Sequence, residues 1–119
     1  MYDPHLKVDE RQVPRGLTFV VLGLVPHLGK NAYGVAIRDR LSQHIGSDVP
    51  AAKVYVMLRR LEDYGFIRAI DQDLPKSAGR KGRPRRVYEV TAPGQRALTA
   101  GAKLYNDPVL QMEPEYARA

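Results

Sequence analysis

Hydrophobic positions repeat with a helical period near the start of the chain. Between residues 15 and 28 the apolar side chains fall at i, i+3, i+4, i+7, i+8 and i+11, which is one stripe of an α-helix. Phe19 and Leu22 lie off this stripe, so the predicted helix is apolar on more than one side. Either the C-terminal helix of the same chain or a second subunit could cover the additional side. Pro26 is expected to end or kink the helix in its last turn.

A second helix is predicted over residues 31–45, because apolar positions recur there every four residues. Asn31 is the expected N-cap, since its side chain can accept a hydrogen bond from a free N–H group of the first turn. The Gly-Ser-Asp sequence at residues 46–48 is expected to end this helix and to cap the next, through Ser47 or Asp48.

The third helix is predicted over residues 50–64, with Pro50 in its first turn and Gly65 as its C-terminal stop. One side of this helix is apolar. The other side has small residues near its start and cations near its middle. A helix that enters a DNA groove needs this arrangement, with short side chains where the backbone approaches and long cationic ones near phosphates.

Two strands and a fourth helix complete the pattern. A strand is expected at residues 66–70, followed by a polar loop and a second, alternating strand at residues 85–90. Thr91 is the expected N-cap of a helix over residues 93–105. The element order predicts a mainly α fold with a β-hairpin (α+β), a winged helix-turn-helix with an added C-terminal helix.

The length of 119 residues fits one domain with a modest core, and 44% apolar residues are too many for a disordered chain. Four segments are expected. Residues 1–13 form an N-terminal arm, residues 14–92 the winged helix, residues 93–106 the C-terminal helix, and residues 107–119 a tail.

The formal net charge of +6 is concentrated in one segment. Residues 76–86, the predicted wing, carry six basic side chains and no acidic one, while the rest of the chain is balanced. A cluster of this kind repels itself, and binding to a polyanion relieves that repulsion. The charge therefore favours nucleic acid as a partner.

The sequence contains few features that would indicate catalysis or metal binding. The chain has no cysteine, and its 3 histidines are scattered without metal-ligand spacing. Phosphate-binding loops and nucleophile motifs are missing from the sequence, so neither an enzyme nor a cofactor is expected. No apolar run approaches the ~18 residues of a membrane span, and the N-terminus lacks a signal-peptide pattern. We expect no membrane contact and a cytoplasmic, nucleoid-associated location.

Three stretches, in order, resemble the PadR family of winged-helix transcriptional regulators. Residues 32–37 (AYGVAI) are similar to the family's opening of the second helix. Residues 53–67 (KVYVMLRRLEDYGFI) resemble its recognition-helix stretch, and residues 82–94 (GRPRRVYEVTAPG) its wing ending. The resemblance spans roughly residues 16–98. Val56 stands where the family usually has Pro, which predicts a more regular helix.

The resemblance implies a sequence-specific DNA-binding regulator, by the family's habit a repressor, acting as a homodimer on a two-fold symmetric operator. Family members commonly dimerise through their terminal helices. The apolar and small residues of the first and fourth helices predict the interface: Phe19, Leu22, Leu98, Gly101, Ala102 and Tyr105.

The predicted DNA contacts lie on three elements. The recognition helix, residues 50–64, offers Lys53, Tyr55, Val56, Arg59 and Arg60 to the major groove. The wing offers Arg80, Lys81, Arg83, Arg85 and Arg86 to the backbone or the minor groove. The second helix and its approach add Lys30, Tyr33 and Arg38.

Several of these residues have a structural alternative. The Tyr55 hydroxyl either binds a phosphate or wedges against the wing. Tyr33 either binds a phosphate at a helix N-terminus or packs in the core. Arg86 either reaches DNA or clamps the base of the wing. Val56, an apolar residue on a polar face, is expected to contact a thymine methyl group.

Two other functions stay open. In the first, the winged helix is a protein-interaction module whose basic wing docks an acidic partner. In the second, a small-molecule effector binds at the dimer interface and DNA binding is the output. Some family members bind flat aromatic effectors against a Trp, and this chain has no Trp, so that chemistry does not carry over.

Overall fold

Four helices and one antiparallel strand pair form the part of the chain that the computed structural model describes, residues 13–72 and 85–106. In chain order the elements are α1 (Gly16–Leu28), a short 3-10 turn (Gly29–Asn31), α2 (Gly34–Ile45), α3 (Ala51–Asp63), β1 (Ile67–Gln72), β2 (Arg85–Val90) and α4 (Ala92–Tyr105). This order is that of a winged helix, as the sequence predicts. No helix within the described residues is long and apolar enough to cross a lipid bilayer.

Helix α1 is the central element of the fold. It packs against α2, α3, β2 and α4, which explains why it is apolar on more than one side. Val21, Leu22 and Val25 are fully or almost fully buried within the single chain. Pro26 lies in the last turn, and the helix ends two residues later, as predicted.

The start of α2 differs from the prediction. Asn31 belongs to the 3-10 turn, and Tyr33 is the N-cap, without a side-chain hydrogen bond to the helix. The physical reason is tertiary. The Ala32 carbonyl accepts a 2.8 Å hydrogen bond from the Tyr88 N–H, and Tyr33 forms an isolated β-bridge with Val87. These contacts keep the chain extended beside β2 until Gly34.

The turn between α2 and α3 begins as expected, at Gly46, but differs from the prediction at the start of α3. Gly46 ends α2 with a φ of 71°, a left-handed conformation that glycine adopts without strain. Pro50 is the N-cap of α3 and no side chain caps this helix, so the capping role predicted for Ser47 or Asp48 is wrong. Instead, Ser42 Oγ accepts a 3.0 Å hydrogen bond from the Val49 N–H.

The strand pair lies beside α3. Its register pairs Ile67 with Val90 and Gln72 with Arg85, so the observed β2 has the predicted bounds and β1 runs two residues further than predicted. Ile67 and Tyr88 turn into the core formed by the helices. The pair is therefore attached to the helical core at its base.

Helix α4 starts as the sequence predicts. The Thr91 Oγ1 accepts a 3.1 Å hydrogen bond from the Gly94 N–H and donates one of 2.5 Å to the Gly65 carbonyl. A Cβ at position 94 would overlap the Phe66 carbonyl oxygen, so glycine is required where the first turn of α4 meets the segment between α3 and β1. These contacts fix the angle at which α4 leaves the winged helix.

Helix α4 covers the additional apolar side of α1. The Phe19 ring lies against the backbone of Gly101, where a Cβ would overlap it, and its centroid is 4.9 Å from that of Tyr105. The Tyr105 hydroxyl donates a 3.3 Å hydrogen bond to the Pro14 carbonyl. The C-terminal helix of the same chain is thus the cover that the pattern of α1 required.

This packing corrects part of the predicted dimer interface. Leu22 is wholly inaccessible within the chain, so assigning it to a subunit contact is wrong. Gly101 is buried against Phe19, and Leu98 packs against the core. Ala102 and Tyr105 are exposed, as is their neighbour Leu104 at 49%.

Candidate nucleic-acid interface

Helix α3 presents two faces of opposite character. Val54, Met57, Leu58 and Leu61 are buried in the core. On the opposite side of α3, four residues are exposed: Lys53, Val56, Arg59 and Arg60. We call these four residues the exposed face. The helical period places these residues on one side of α3, and this regular helix contains no proline in its interior. Nothing in the described part of the chain covers them.

Val56 stands out on this face because it is apolar and 52% exposed. Burial of its side chain against the chain itself therefore supplies little stabilisation. Contact with a thymine methyl group would bury it against a partner instead, which is the role the sequence predicts.

The cations of the exposed face are accessible. The Arg59 Nε lies 3.9 Å from the Asp63 Oδ1, at the outer limit of an ion pair, and the Arg59 side chain is 81% exposed. Exposed pairs of this kind contribute little free energy, so Asp63 does not hold Arg59 in place. The guanidinium is available to a phosphate or a base edge.

Tyr55 connects α3 with the first turn of α2. Its ring lies over Gly34, where a Cβ would come 2.5 Å from the Tyr55 hydroxyl oxygen, so only glycine allows this contact. The hydroxyl thus sits beside the N-terminal turn of α2, while the side chain is 49% exposed. The first N–H groups of a helix have no partner within it, so a hydroxyl and a helix N-terminus lie together where an anion can approach.

Two other predicted residues lie near this turn. Tyr33 is half-buried, and its backbone is paired with β2. Lys30 is exposed in the 3-10 turn that precedes it. Their contacts with phosphate stay predictions.

Arg38 has a structural role in this arrangement. Its Nε donates a 3.0 Å hydrogen bond to the Val49 carbonyl, and its Nη1 lies 2.9 Å from the Asp39 Oδ1. The first bond ties α2 to the turn that leads into α3. Arg38 therefore holds the turn between the two helices, and its predicted DNA contact stays a prediction.

A groove separates the end of α3 from β2. Its lining includes Tyr55, Arg59, Glu62, Arg86 and Tyr88. The Arg86 Nη2 donates a 3.2 Å hydrogen bond to the Glu62 Oε2, which joins β2 to α3 across 24 residues of sequence. This contact matches the structural alternative considered for Arg86, the clamp at the base of the wing.

Tyr88 forms the floor of this groove. Burial raises the pKa of its phenol above the usual value of 10.0, Arg86 acts in the opposite direction, and Glu62 and Tyr55 add to the rise. The phenol therefore stays neutral at physiological pH. Tyr88 supports the groove and adds no charge to it.

Most of the predicted wing contacts lie outside the described residues. Arg80, Lys81 and Arg83 fall outside the described residues, and Arg85 is described only by its backbone, which pairs with Gln72. The structure therefore brings four of the five residues predicted on α3 into one groove with Arg86, namely Tyr55, Val56, Arg59 and Arg60. The remaining wing contacts stay predictions from charge and sequence.

Glu62 is the residue of this surface that sequence reasoning missed as part of the site. Its only sequence-level signal is a carboxylate on a helix rich in cations, close to the predicted strand pair. That signal does not identify Arg86 as its partner, because the contact depends on how β2 packs against α3.

Within the described residues, no group of three His, Cys, Asp or Glu side chains is arranged to hold a metal ion. The groups that line this surface are cations, hydroxyl groups, one apolar side chain and the carboxylates of Glu62 and Asp63. The cations, the hydroxyl groups and the apolar side chain serve recognition of a polyanion with base edges.

Comparisons with known proteins agree with this architecture. A model of the transcriptional regulator PadR-like family matches residues 21–100. None of the curated proteins matches the chain by sequence. A PadR-family transcriptional regulator from Eggerthella lenta DSM 2243 is similar in structure, with a TM-score of 0.54 and 27% identity over 77% of this chain and 79% of that one.

Two further solved structures are similar at lower identity. A PadR-like transcription factor from Bacteroides fragilis has a TM-score of 0.55 and 21% identity, over 79% of this chain and 89% of its own. The hsRosR-SG complex has a TM-score of 0.64 and 18% identity, over 92% and 88%. At these identities the likeness shows the winged-helix fold.

Proposed function

The chain belongs to the PadR-like family of transcriptional regulators, and we propose that it regulates transcription by sequence-specific binding to double-stranded DNA as a homodimer. Because members of the family commonly act as repressors, we infer that this protein is a repressor. Helix α3 enters the major groove, and the wing follows the flanking backbone or minor groove.

One observation carries this proposal. Helix α3 is buried on one side and presents an uncovered face of three cations and one exposed valine on the other. The cations suit phosphates and guanine edges, and the valine suits a thymine methyl group. A protein partner with an acidic surface would match the cations but would not account for the valine among them.

The predicted wing adds the electrostatic part of the affinity. Residues 76–86 carry six basic side chains, and the segment itself contains no acidic residue. Each phosphate that they neutralise releases counterions, so we expect binding to weaken steeply with salt. The Tyr55 hydroxyl beside the first turn of α2 supplies one more phosphate contact.

A homodimer is proposed because one recognition helix reads only a few base pairs. The exposed apolar residues near the end of α4, Leu104 and Tyr105, with Ala102 beside them, offer a surface for a second copy. A two-fold dimer would place the two α3 helices about one turn of DNA apart, roughly 10 bp or a multiple.

The experiment that tests this function is in vitro selection of duplex DNA from a random pool by the full chain. We expect an enriched motif with two related half-sites, and its affinity should fall with increasing salt. A selected motif without two-fold symmetry would contradict the dimeric arrangement.

Failure to bind any duplex at low salt would overturn the proposal. It would favour the alternative in which the wing docks an acidic protein. A small molecule that releases the selected DNA from a dimer would instead add an effector site to the proposed function.

A further inference from the structure

Glu62 places a carboxylate on the surface that faces the proposed DNA. It lies at the C-terminal end of α3, next to the exposed face, and its side chain is 26% exposed. A carboxylate there opposes phosphate binding, so a purely electrostatic DNA surface would not include it. DNA binding alone therefore does not explain why Glu62 lies on this surface.

The contact of Glu62 supplies that explanation. Its Oε2 accepts a 3.2 Å hydrogen bond from the Arg86 Nη2, while the Arg86 side chain remains 60% exposed in the same groove. Asp71 is the cross-strand partner of Arg86 and brings a second carboxylate to this side of the strand pair. The guanidinium of Arg86 is thus engaged within the chain although it lies where a phosphate could reach it.

Arg59, a neighbouring cation, is held less closely than Arg86. Arg59 has only a distant contact with Asp63, at 3.9 Å. Within the described residues, Arg86 therefore differs from the cations of the exposed face, because a carboxylate from another element holds it. This contact also links the base of the wing to the recognition helix.

Resting on the proposed function, we propose that Glu62 is a positioning residue that withholds Arg86 from DNA phosphates. The pair keeps Arg86 as a structural link between α3 and β2 and lowers the affinity of the groove for DNA of any sequence. Non-specific affinity consists of phosphate contacts, so one cation fewer lowers it directly.

The substitution Glu62→Gln tests this inference, because it removes the charge and keeps the shape of the side chain. We expect the full-length variant to bind an unrelated duplex about two- to fivefold more tightly. We also expect the slope of log affinity against log salt to steepen by about 0.9, the value for one additional phosphate contact.

Two further variants separate this effect from a general change in charge. In an Arg86→Gln background, Glu62→Gln should leave the salt slope unchanged and should raise the affinity less than in the wild type, because only the direct repulsion between Glu62 and phosphate is then removed. Glu89→Gln is the matched control, since Glu89 also forms a cross-element ion pair, with Arg68, but on the opposite face of the strand pair. It should not change the salt slope.

Equal gains in Glu62→Gln and Glu89→Gln would overturn the proposal, because net charge alone would then account for both. A gain of the same size in the Arg86→Gln background would overturn it too, since Glu62 would then act on DNA directly and not through Arg86. Circular dichroism and thermal unfolding verify that each variant is folded.

A measurement without DNA keeps this test independent of the proposed function. Inorganic phosphate is titrated into the full-length protein while the side-chain Nε–H signal of Arg86 is followed by NMR. We expect this signal to shift in Glu62→Gln and to stay fixed in the wild type. If both proteins respond alike, Glu62 does not withhold Arg86, whether or not the protein binds a duplex.

Discussion

Helices α1 and α3 differ in whether the rest of the chain covers their additional side. Each has residues on a side that its apolar stripe does not explain: Phe19 and Leu22 on α1, and Val56 among cations on α3. On α1 that side is covered within the chain, by the core and by α4. On α3 it is covered by nothing in the described part of the chain.

The difference lies in the kind of surface left over. An apolar surplus lowers the free energy of the chain as soon as any of its own elements covers it, and α4 lies within reach. A cationic surplus cannot be buried in a core without large desolvation costs, so it stays outside, in contact with water or with a polar partner. On α3 the exposed Val56 among the cations is what favours a partner over water alone.

The largest expected effect tests the α1 side of this comparison. Leu22→Ala should lower the free energy of unfolding by about 2–5 kcal/mol, because Leu22 is fully buried within the chain and the truncation leaves a cavity. The measurement is equilibrium denaturation of the two full-length proteins.

Leu104→Ala is the matched control, since it deletes the same atoms at a position on α4 that is 49% exposed. We expect its effect on the unfolding of a single chain to stay within about 0.5 kcal/mol. A Leu22→Ala variant that keeps its stability but no longer dimerises would contradict the packing of α1.

The next effect tests the α3 side. Arg59→Gln should weaken binding to the selected operator by about 1–3 kcal/mol, the range for an arginine that contacts a base edge. The free energy of unfolding should change by less than about 0.5 kcal/mol, because the side chain is 81% exposed. Fluorescence anisotropy and denaturation measure the two quantities.

Arg96→Gln provides the comparison for this experiment. Arg96 is exposed on α4, and its substitution removes the same charge from a helix that takes no part in the proposed DNA contacts. Equal losses of affinity in both variants would mean that net charge, rather than the exposed face of α3, determines binding.

Much of this fold follows from local sequence pattern. The apolar stripe of α3 separates its buried and exposed sides correctly, because both depend only on helical periodicity. The bounds of β2 and the Thr91 cap are also local, since alternation and one side-chain hydrogen bond define them. These elements are predicted correctly from the sequence.

The errors arise where distant segments decide the outcome. Periodicity says that α1 needs cover on several sides, but it does not identify which element provides it. Asn31 would cap a free helix, yet the hydrogen bonds of residues 32 and 33 with β2 move the start of α2 to Gly34. The Glu62–Arg86 contact joins residues 24 positions apart, so no local pattern contains it.

The smallest expected effect concerns Tyr88, where the groove beside α3 meets the core. Burial raises the pKa of this phenol above 10.0 in the folded state, so the folded protein holds the proton more tightly than the unfolded chain does. The resulting stabilisation is fully present below pH 10 and is lost as the pH rises through the folded-state pKa. Tyr88→Phe has no proton to lose. Its free energy of unfolding should therefore fall less than that of the wild type above pH 10, with parallel curves between about pH 7 and 9.

Denaturation curves at a series of pH values measure both proteins. If Tyr88→Phe also runs parallel to the wild type above pH 10, solvent reaches the floor of the groove. Tyr88 would then not be a buried support beside the exposed cationic face, because its phenol could ionise in the folded state as freely as in the unfolded chain.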